Sequence, residues 1–378
     1  MAVDLLSIYG PGLFESLLTV KGATGLIAAL ILGYIIITRL PGQKTKPKLL
    51  DLTAGGIPFE KVGEVFNDYD KSYGKGTHGE LHVQDTNKVF QLANTFYDFV
   101  TDGYEWAWGS SFHFSQRMPG LSHAASQMLH ESRMASYLRL KPGMTCLDVG
   151  CGVGNPGRTV AACSGAVVTG ITINKYQIQR AEYHNRRTGL VGFFKPTVGN
   201  FCNMPFDAKS FDAAFAMDAT CHAPKLEDVY GEVFRVLKPG GFFATYEWVS
   251  TKNYDPTNTR HVKVMNSIIF GNGLPNIRSW KQAEEAGENV GFKLLTSFDL
   301  ATAPPVGKPW YYVPELMVKY GLLKIQKALV RGACSLGLLP DQSWKVCNMV
   351  ADMVPNLVEG GATDIFTPMH LLIFQKPE

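Results

Sequence analysis

Between Lys21 and Arg39 the chain runs without a charge from Gly22 to Thr38, and its centre, Leu26 to Ile37, is continuously apolar rather than apolar at helical spacing. About 17 residues is the short end of a membrane-spanning helix. A helix apolar on every face suits lipid better than a protein surface, the alternative being a helix inside a soluble core. Asp4 and Glu15 precede the segment and no small-x-small site follows it, which argues against a cleaved signal peptide. Arg39, Lys44, Lys46 and Lys48 follow it, and this positive flank assigns the rest of the chain to the cytosol. The pattern therefore predicts an N-terminal membrane anchor over residues 1–40. Residues 41–84, rich in glycine, proline and lysine, read as a linker with at most short helices.

From Asp85 to Val100, Val89, Leu92, Ala93, Phe96 and Val100 recur at helical spacing. After about residue 140, short β-rich runs alternate with amphipathic helical ones, the pattern of a parallel sheet wrapped by helices. Strands are expected near Thr145–Gly150, Val167–Thr172, Phe211–Met217 and Phe242–Tyr246, then Phe292–Asp299 and Met369–Gln375. Helices are expected near Ile178–Thr188 and Leu226–Leu237. The long stretch 301–367, with Trp310, Tyr311 and Tyr312 and apolar helical turns such as Leu316–Leu329, reads as a lid or substrate wall inserted in one α/β domain spanning 85–378.

Composition narrows the class. Of 378 residues, 46% are apolar and 18% charged, enough to bury a large core. The net charge of +3 is mild and no basic run is interleaved with aromatics, so nothing calls for nucleic acid. Seven cysteines, an odd number with no CxxC pair, read as reduced thiols and supply no tetrahedral metal site, so no metal is expected.

The strongest local motif is Leu147-Asp148-Val149-Gly150-Cys151-Gly152-Val153-Gly154-Asn155-Pro156-Gly157-Arg158. Glycines here let the backbone turn tightly after a strand and approach a ligand at the carboxyl edge of a doubly wound sheet. A dinucleotide site or a purely structural turn is the alternative. The string resembles the first motif of class I S-adenosylmethionine-dependent methyltransferases. That resemblance implies a Rossmann-like fold with a central seven-stranded, mostly parallel sheet, and S-adenosylmethionine held by Asp148, Gly150, Cys151, Gly152 and Gly154. In Gly170-Ile171-Thr172-Ile173-Asn174-Lys175-Tyr176-Gln177 the usual acidic ribose ligand is missing. The segment is instead similar to the variant of cyclopropane-fatty-acid synthases and sterol methyltransferases, which implies Thr172, Ile173 and Gln177 as cofactor contacts. Gly199-Asn200-Phe201 matches the turn near adenine, implying Asn200 and Phe201 as contacts, and Asp218 after the next strand is a further implied cofactor contact. The Val236-Leu237-Lys238-Pro239-Gly240-Gly241 turn is read as structural.

Upstream, Tyr104-Glu105-Trp106-Ala107-Trp108-Gly109-Ser110-Ser111-Phe112-His113-Phe114 packs five aromatics, a glutamate and a histidine into eleven residues, too many polar tips for a plain core. The run resembles the signature of sterol carbon-24 methyltransferases, with Ala107 in place of the family glycine. The resemblance continues through Asp218-Ala219-Thr220-Cys221-His222-Ala223-Pro224, Tyr246-Glu247-Trp248, and Gly360-Gly361 with Ile365-Phe366-Thr367-Pro368-Met369, and covers roughly residues 85–378. It implies methyl transfer to a sterol side-chain double bond, a carbocation held by aromatic faces, and a final deprotonation. Tyr104, Trp106, Trp108, Phe112, Tyr246 and Trp248 are the aromatic candidates. Glu105, His113, Asp218, His222 and Glu247 are candidate bases or hydroxyl anchors, His113 and Glu105 foremost. The implied setting is the endoplasmic-reticulum membrane with the catalytic domain facing the cytosol; a homo-oligomer is left open. A prenyl-lipid or phosphoamine methyltransferase and a non-catalytic lipid carrier are the rival readings.

Overall fold

In the strand-forming runs after residue 140, neighbouring side chains divide between two layers, as the two-residue period of a strand requires. Cys146, Phe215, Ala244 and Leu371 enter one buried cluster. Their neighbours Leu147, Ala214, Phe243 and Leu372 enter another. The sheet thus has a core on both faces, and its strands read as apolar runs rather than as alternating ones. The computed structural model describes residues 57, 61–75, 79–83, 85, 88–302, 307–337, 339 and 343–378. The apolar stretch Gly22–Thr38 lies outside these residues. Among the described ones, no helix is long and apolar enough to cross a membrane.

The helix α1 (Val62–Lys71) and the antiparallel pair β1 (Tyr73–Lys75) and β2 (Leu81–Val83) precede α2 (Val89–Ala107) and α3 (His123–Tyr137). The α/β alternation follows: β3 (Thr145–Val149), α4 (Asn155–Ser164), β4 (Val167–Thr172), α5 (Lys175–Thr188), β5 (Phe194–Val198), β6 (Phe211–Met217), a 3₁₀ turn at Thr220–His222, α6 (Leu226–Val236) and β7 (Leu237–Ser250). Then come α7 (Thr259–Gly271), β8 (Arg278–Ser279), α8 (Trp280–Asn289), β9 (Lys293–Asp299), α9 (Tyr312–Lys319), α10 (Leu322–Ser335), α11 (Ser343–Ala362) and β10 (Phe366–Gln375). Seven strands lie in the order β5-β4-β3-β6-β7-β10-β9, and the two-residue β8 pairs beside β7. Pairings from β5 to β7 are parallel, and β10 runs antiparallel between β7 and β9. This is the expected α/β fold.

Four elements differ from the sequence reading. Part of the expected linker folds: Val62, Phe66 and Tyr69 of α1 are buried with Phe96 and Phe99 of α2. The strand β5 went unread because Pro196 interrupts it and its residues after Phe194 are not buried; a proline is tolerated there because β5 is an edge strand. The helix α3 buries Ser126, Gln127, His130 and Glu131, so apolar periodicity could not reveal it. The insertion also builds the core, since Met353 and Leu357 of α11 belong to the main cluster, and a Cβ on Gly271 of α7 would lie 2.4 Å from Met353.

Candidate functional site

The chain leaves β3 through glycines in the left-handed region, with φ of +79° at Gly150, +53° at Gly152 and +82° at Gly154. A Cβ on Gly150 would sit 2.4 Å from that of Ala219, and one on Gly154 would sit 2.3 Å from the Phe194 ring. A Cβ on Gly152 would meet only Phe112, at 3.8 Å. The first and third glycines therefore let the loop lie against the protein, and the second opens it toward a ligand.

That opening is a cleft of about 760 Å³, its mouth included, at the carboxyl ends of β3, β4 and β6. Gly150, Cys151, Gly152, Val153, Thr172, Ile173, Gln177, Asn200, Phe201 and Asp218 line it, with Phe112, His113 and His222. Nine of the eleven expected cofactor residues thus face one space. The exceptions, Asp148 and Gly154, lie behind the loop. Asp148 is buried, and burial, aided by the charge of Glu131, pushes its carboxyl up to about 8 against the pull of the Gly157 N–H and Arg158. Gly154 caps α4 against Phe194. The wall from α2, made by Phe90, Ala93 and Tyr97, went unread. Its spacing of three and four residues was visible in the sequence.

The residues fit a nucleoside-bearing cofactor. Asn174 caps α5 by accepting from the Gln177 backbone N–H, which brings Gln177 to the cleft. There Thr172 donates to Gln177 Oε1 at 2.8 Å, and Gln177 Nε2 is buried without a hydrogen-bond partner. A donor left unpaired costs free energy unless a ligand accepts from it. Asn200 Oδ1 already accepts from the Cys202 N–H at 2.8 Å, so its carbonyl is shared with the turn it sits in.

Asp218 follows β6 with φ +52°, a left-handed conformation uncommon outside glycine. Its Oδ2 accepts from the Phe114 N–H at 2.9 Å, and its buried Oδ1 has no hydrogen-bond partner. Burial, aided by the charge of Glu247, pushes its carboxyl up to about 7, while the positive charge of His113, the Phe114 N–H and the nearby Trp248 indole N–H hold it from going higher. A carboxyl poised near neutrality on the wall of the cleft suits proton transfer.

The geometry reassigns the other acid–base candidates. His113 is buried between Glu131 Oε1, 2.9 Å from Nε2, and the Phe114 carbonyl oxygen, 3.1 Å from Nδ1. Both partners only accept, so the ring carries both protons. Burial alone would lower its pKa, but the hydrogen bond and charge of Glu131 override this and raise it. His113 is an imidazolium facing the cleft, not a free base. No sequence motif marked Glu131, which also accepts from Ser111 at 2.5 Å and from Thr159.

Glu105 does not line the cleft. It accepts from Arg180 and His184 of α5, each at 2.5 Å, and these bonds outweigh burial to lower its pKa. It ties α2 to α5. Glu247 accepts from Thr220, from Tyr230 at 2.7 Å and from Thr245 at 2.9 Å beneath the 3₁₀ turn, and so braces His222. Burial brings His222 down to about 4; Nδ1 donates to the Gly273 carbonyl at 3.3 Å, leaving Nε2 to accept from the Tyr97 hydroxyl at 3.0 Å. It is neutral.

Among the aromatic candidates with described side chains, only Phe112 lines the cleft. Tyr104 stands edge-on to Phe112, with centroids 5.5 Å apart. Tyr246 stacks on His130 at 4.1 Å in the core. Trp108 and Trp248 flank Phe114, at 5.4 and 5.7 Å, and Trp310 meets the same ring at 5.1 Å. These form an aromatic block behind Asp218, not a box around the cleft. The Trp106 side chain lies outside the described part.

Comparison with known proteins agrees with this geometry. Residues 147–245 match the family described as methyltransferase domain, and residues 317–378 match sterol methyltransferase C-terminal. Squalene methyltransferase 1 of Botryococcus braunii is 84% identical over the whole of both chains. Botryococcene C-methyltransferase of the same organism is 72% identical, again over the whole of both. The 24-methylenesterol C-methyltransferase 2 of Oryza sativa subsp. japonica is 41% identical over 94% of this chain and 96% of its own. Among solved structures, the [4+2]-cyclase SpnF (TM-score 0.60, 23% identity, covering 76% of this chain and 96% of that one) and the Mycobacterium tuberculosis cyclopropane synthase MmaA2 (0.57, 15%, 88% and 99%) share the fold. With its glycine loop, its cleft and its matching C-terminal segment, the chain belongs to the sterol C-methyltransferase family of S-adenosylmethionine-dependent methyltransferases.

Proposed function

We infer that the protein methylates a trisubstituted double bond of an acyclic triterpene of the squalene type, and that Asp218 takes the proton released when the resulting cation collapses to a methylene group. The reading of the substrate is supported by the full-length relatives that are 84% and 72% identical. The observation that carries the chemistry is Asp218, whose unpartnered Oδ1 and pKa of about 7 make it the basic group on the cleft wall.

S-adenosylmethionine supplies an electrophilic methyl group. The loop Gly150–Val153 would hold its amino-acid part, Thr172 and Gln177 its ribose, and Asn200 with Phe201 its adenine; all of them line the cleft. Phe112 and Tyr97 line the cleft, and an aromatic face over a cation stabilises it by about 0.5–2 kcal/mol without attacking it. His113, held as an imidazolium, cannot compete for the proton. It lowers the pKa of Asp218 and keeps that carboxylate a moderate base. We further read Gly22–Thr38 as the segment that brings the chain to a membrane, with the endoplasmic reticulum as its site; fractionation of cells expressing the chain with and without residues 1–40 tests this.

A second reading, methyl transfer to carbon 24 of a sterol, is favoured by the 41% identical rice relative. Incubation with methyl-labelled S-adenosylmethionine and a panel of squalene, cycloartenol and a 24-methylenesterol, with products identified by mass spectrometry, separates the two. Label in squalene alone supports the first reading. Label in a sterol alone replaces it with the second.

A further inference from the structure

The helix α10 uses one side for the fold: Leu323 packs with Met317 against Ala351 and Val354 of α11. On its other side Ile325 is 41% exposed, Leu329 45%, and Leu336, just past its end, 76%. At about 100° per residue these three fall within about 40° of one another. Val318 and Tyr320, at the end of α9, are exposed by 39% and 50%. Isolated exposed apolar residues are ordinary, whereas an aligned set marks an interaction face.

The charges of the same segment identify its partner. Between Gly307 and Gly337 stand Lys308, Lys319, Lys324, Lys327 and Arg331 against one acid, Glu315. Lys327 is tied to Asp352 of α11. Lys324 and Arg331, seven residues apart, run along one flank of the apolar stripe, with the Arg331 guanidinium 5.9 Å from the centroid of the Trp344 ring of α11. A second copy of the chain would bring the same positive excess against itself, and the uncharged Gly22–Thr38 segment would leave these cations unanswered. An anionic phospholipid surface satisfies both the stripe and the flank.

We propose that α9 and α10 dock on an anionic phospholipid bilayer, with Ile325, Leu329 and Leu336 entered between the head groups and Lys319, Lys324 and Arg331 against phosphates. The inserted helices then hold the catalytic domain at the surface where a hydrocarbon substrate dissolves. This holds whichever triterpene is methylated, and the exchange measurement that tests it needs no substrate.

Amide hydrogen exchange of the full-length protein is followed with vesicles of phosphatidylcholine and phosphatidylserine, and without vesicles. Residues 322–336 are expected to exchange at least about fivefold more slowly on the vesicles. An Ile325→Glu/Leu329→Glu variant should lose that protection while keeping wild-type turnover in detergent micelles. Exchange unchanged by vesicles overturns the proposal. So does protection that appears without vesicles as protein concentration rises, which identifies a second copy, or protection already present without vesicles and released by deleting residues 1–40, which identifies the chain's own N-terminal segment.

Discussion

The backbone N–H of Phe114 donates to Asp218 Oδ2 at 2.9 Å, and this bond joins the aromatic run after α2 to the end of β6 across 104 residues of chain. It fixes one carboxyl oxygen and leaves the other without a partner. The left-handed φ of Asp218 is the local strain that such placement requires.

Asp218→Asn keeps an acceptor for the Phe114 N–H but removes the basicity. Turnover should fall by about 10²–10⁴-fold, the usual contribution of a positioned acid–base group, with a far smaller change in cofactor affinity. Because the carboxyl must be ionised to accept a proton, kcat of the wild type should rise with pH through about 7. A pH-independent kcat across that range, or undiminished turnover in the variant, removes Asp218 from the proton transfer.

Glu131→Gln leaves the His113 imidazolium without its counter-charge. Removing one partner of a buried pair costs about 3–5 kcal/mol, measurable by denaturant unfolding. Burial would then dominate, and the His113 pKa, followed by NMR of its ring protons, should drop below that of the wild type. A raised folded-state pKa stabilises at low pH and is lost as pH climbs through it, whereas Glu131, whose pKa is lowered, stabilises above its unfolded value. The stability gap between wild type and variant should therefore be widest between about pH 5 and 6.5 and narrow above. An unmoved His113 titration would contradict the pairing.

Gly150→Ala and Gly152→Ala should fail differently. The first sets its methyl 2.4 Å from Ala219 and lowers the melting temperature, overpacking of this kind costing about 1–3 kcal/mol. The second carries only the left-handed strain of about 1 kcal/mol and stays folded, but its methyl stands on the ligand side of the loop and weakens S-adenosylmethionine binding. Equal melting temperatures with equal affinities would refute this division of labour.

Gln177→Leu removes the amide that pairs with Thr172 and the buried Nε2 that no protein atom satisfies. One net hydrogen bond is worth about 0.5–1.5 kcal/mol, so the dissociation constant for S-adenosylmethionine should rise by up to about tenfold in titration calorimetry. An unchanged constant would mean that Gln177 faces the cleft without touching the cofactor.

The cofactor half of the site was legible because it is local. Thr172, Ile173 and Gln177 lie within six residues, Asn174 caps the helix that starts between them, and three glycines fix the loop. The acid–base half was not. Glu105, Glu247 and Asp218 are all carboxylates within the family-like motifs, and only packing separates one bound by Arg180 and His184, one buried among hydroxyls, and one on the cleft wall whose buried second oxygen has no hydrogen-bond partner. Glu131, on a helix whose buried face is polar, had no periodic signal to announce it.

The sequence by itself determined the parallel sheet, the glycine loop at its carboxyl edge and the family, because strand runs, left-handed turns and short motifs depend on neighbours in the chain. Tertiary structure alone decided that His113 is a charged partner of Glu131, that Trp108 and Phe114 of the aromatic run pack with Trp248 and Trp310 as a block behind Asp218, and that Asp218, unlike Glu105 and Glu247, is a carboxyl on the cleft wall. Each depends on which groups lie within hydrogen-bond reach in a buried, low-dielectric setting, where one partner more or less fixes the charge a side chain carries.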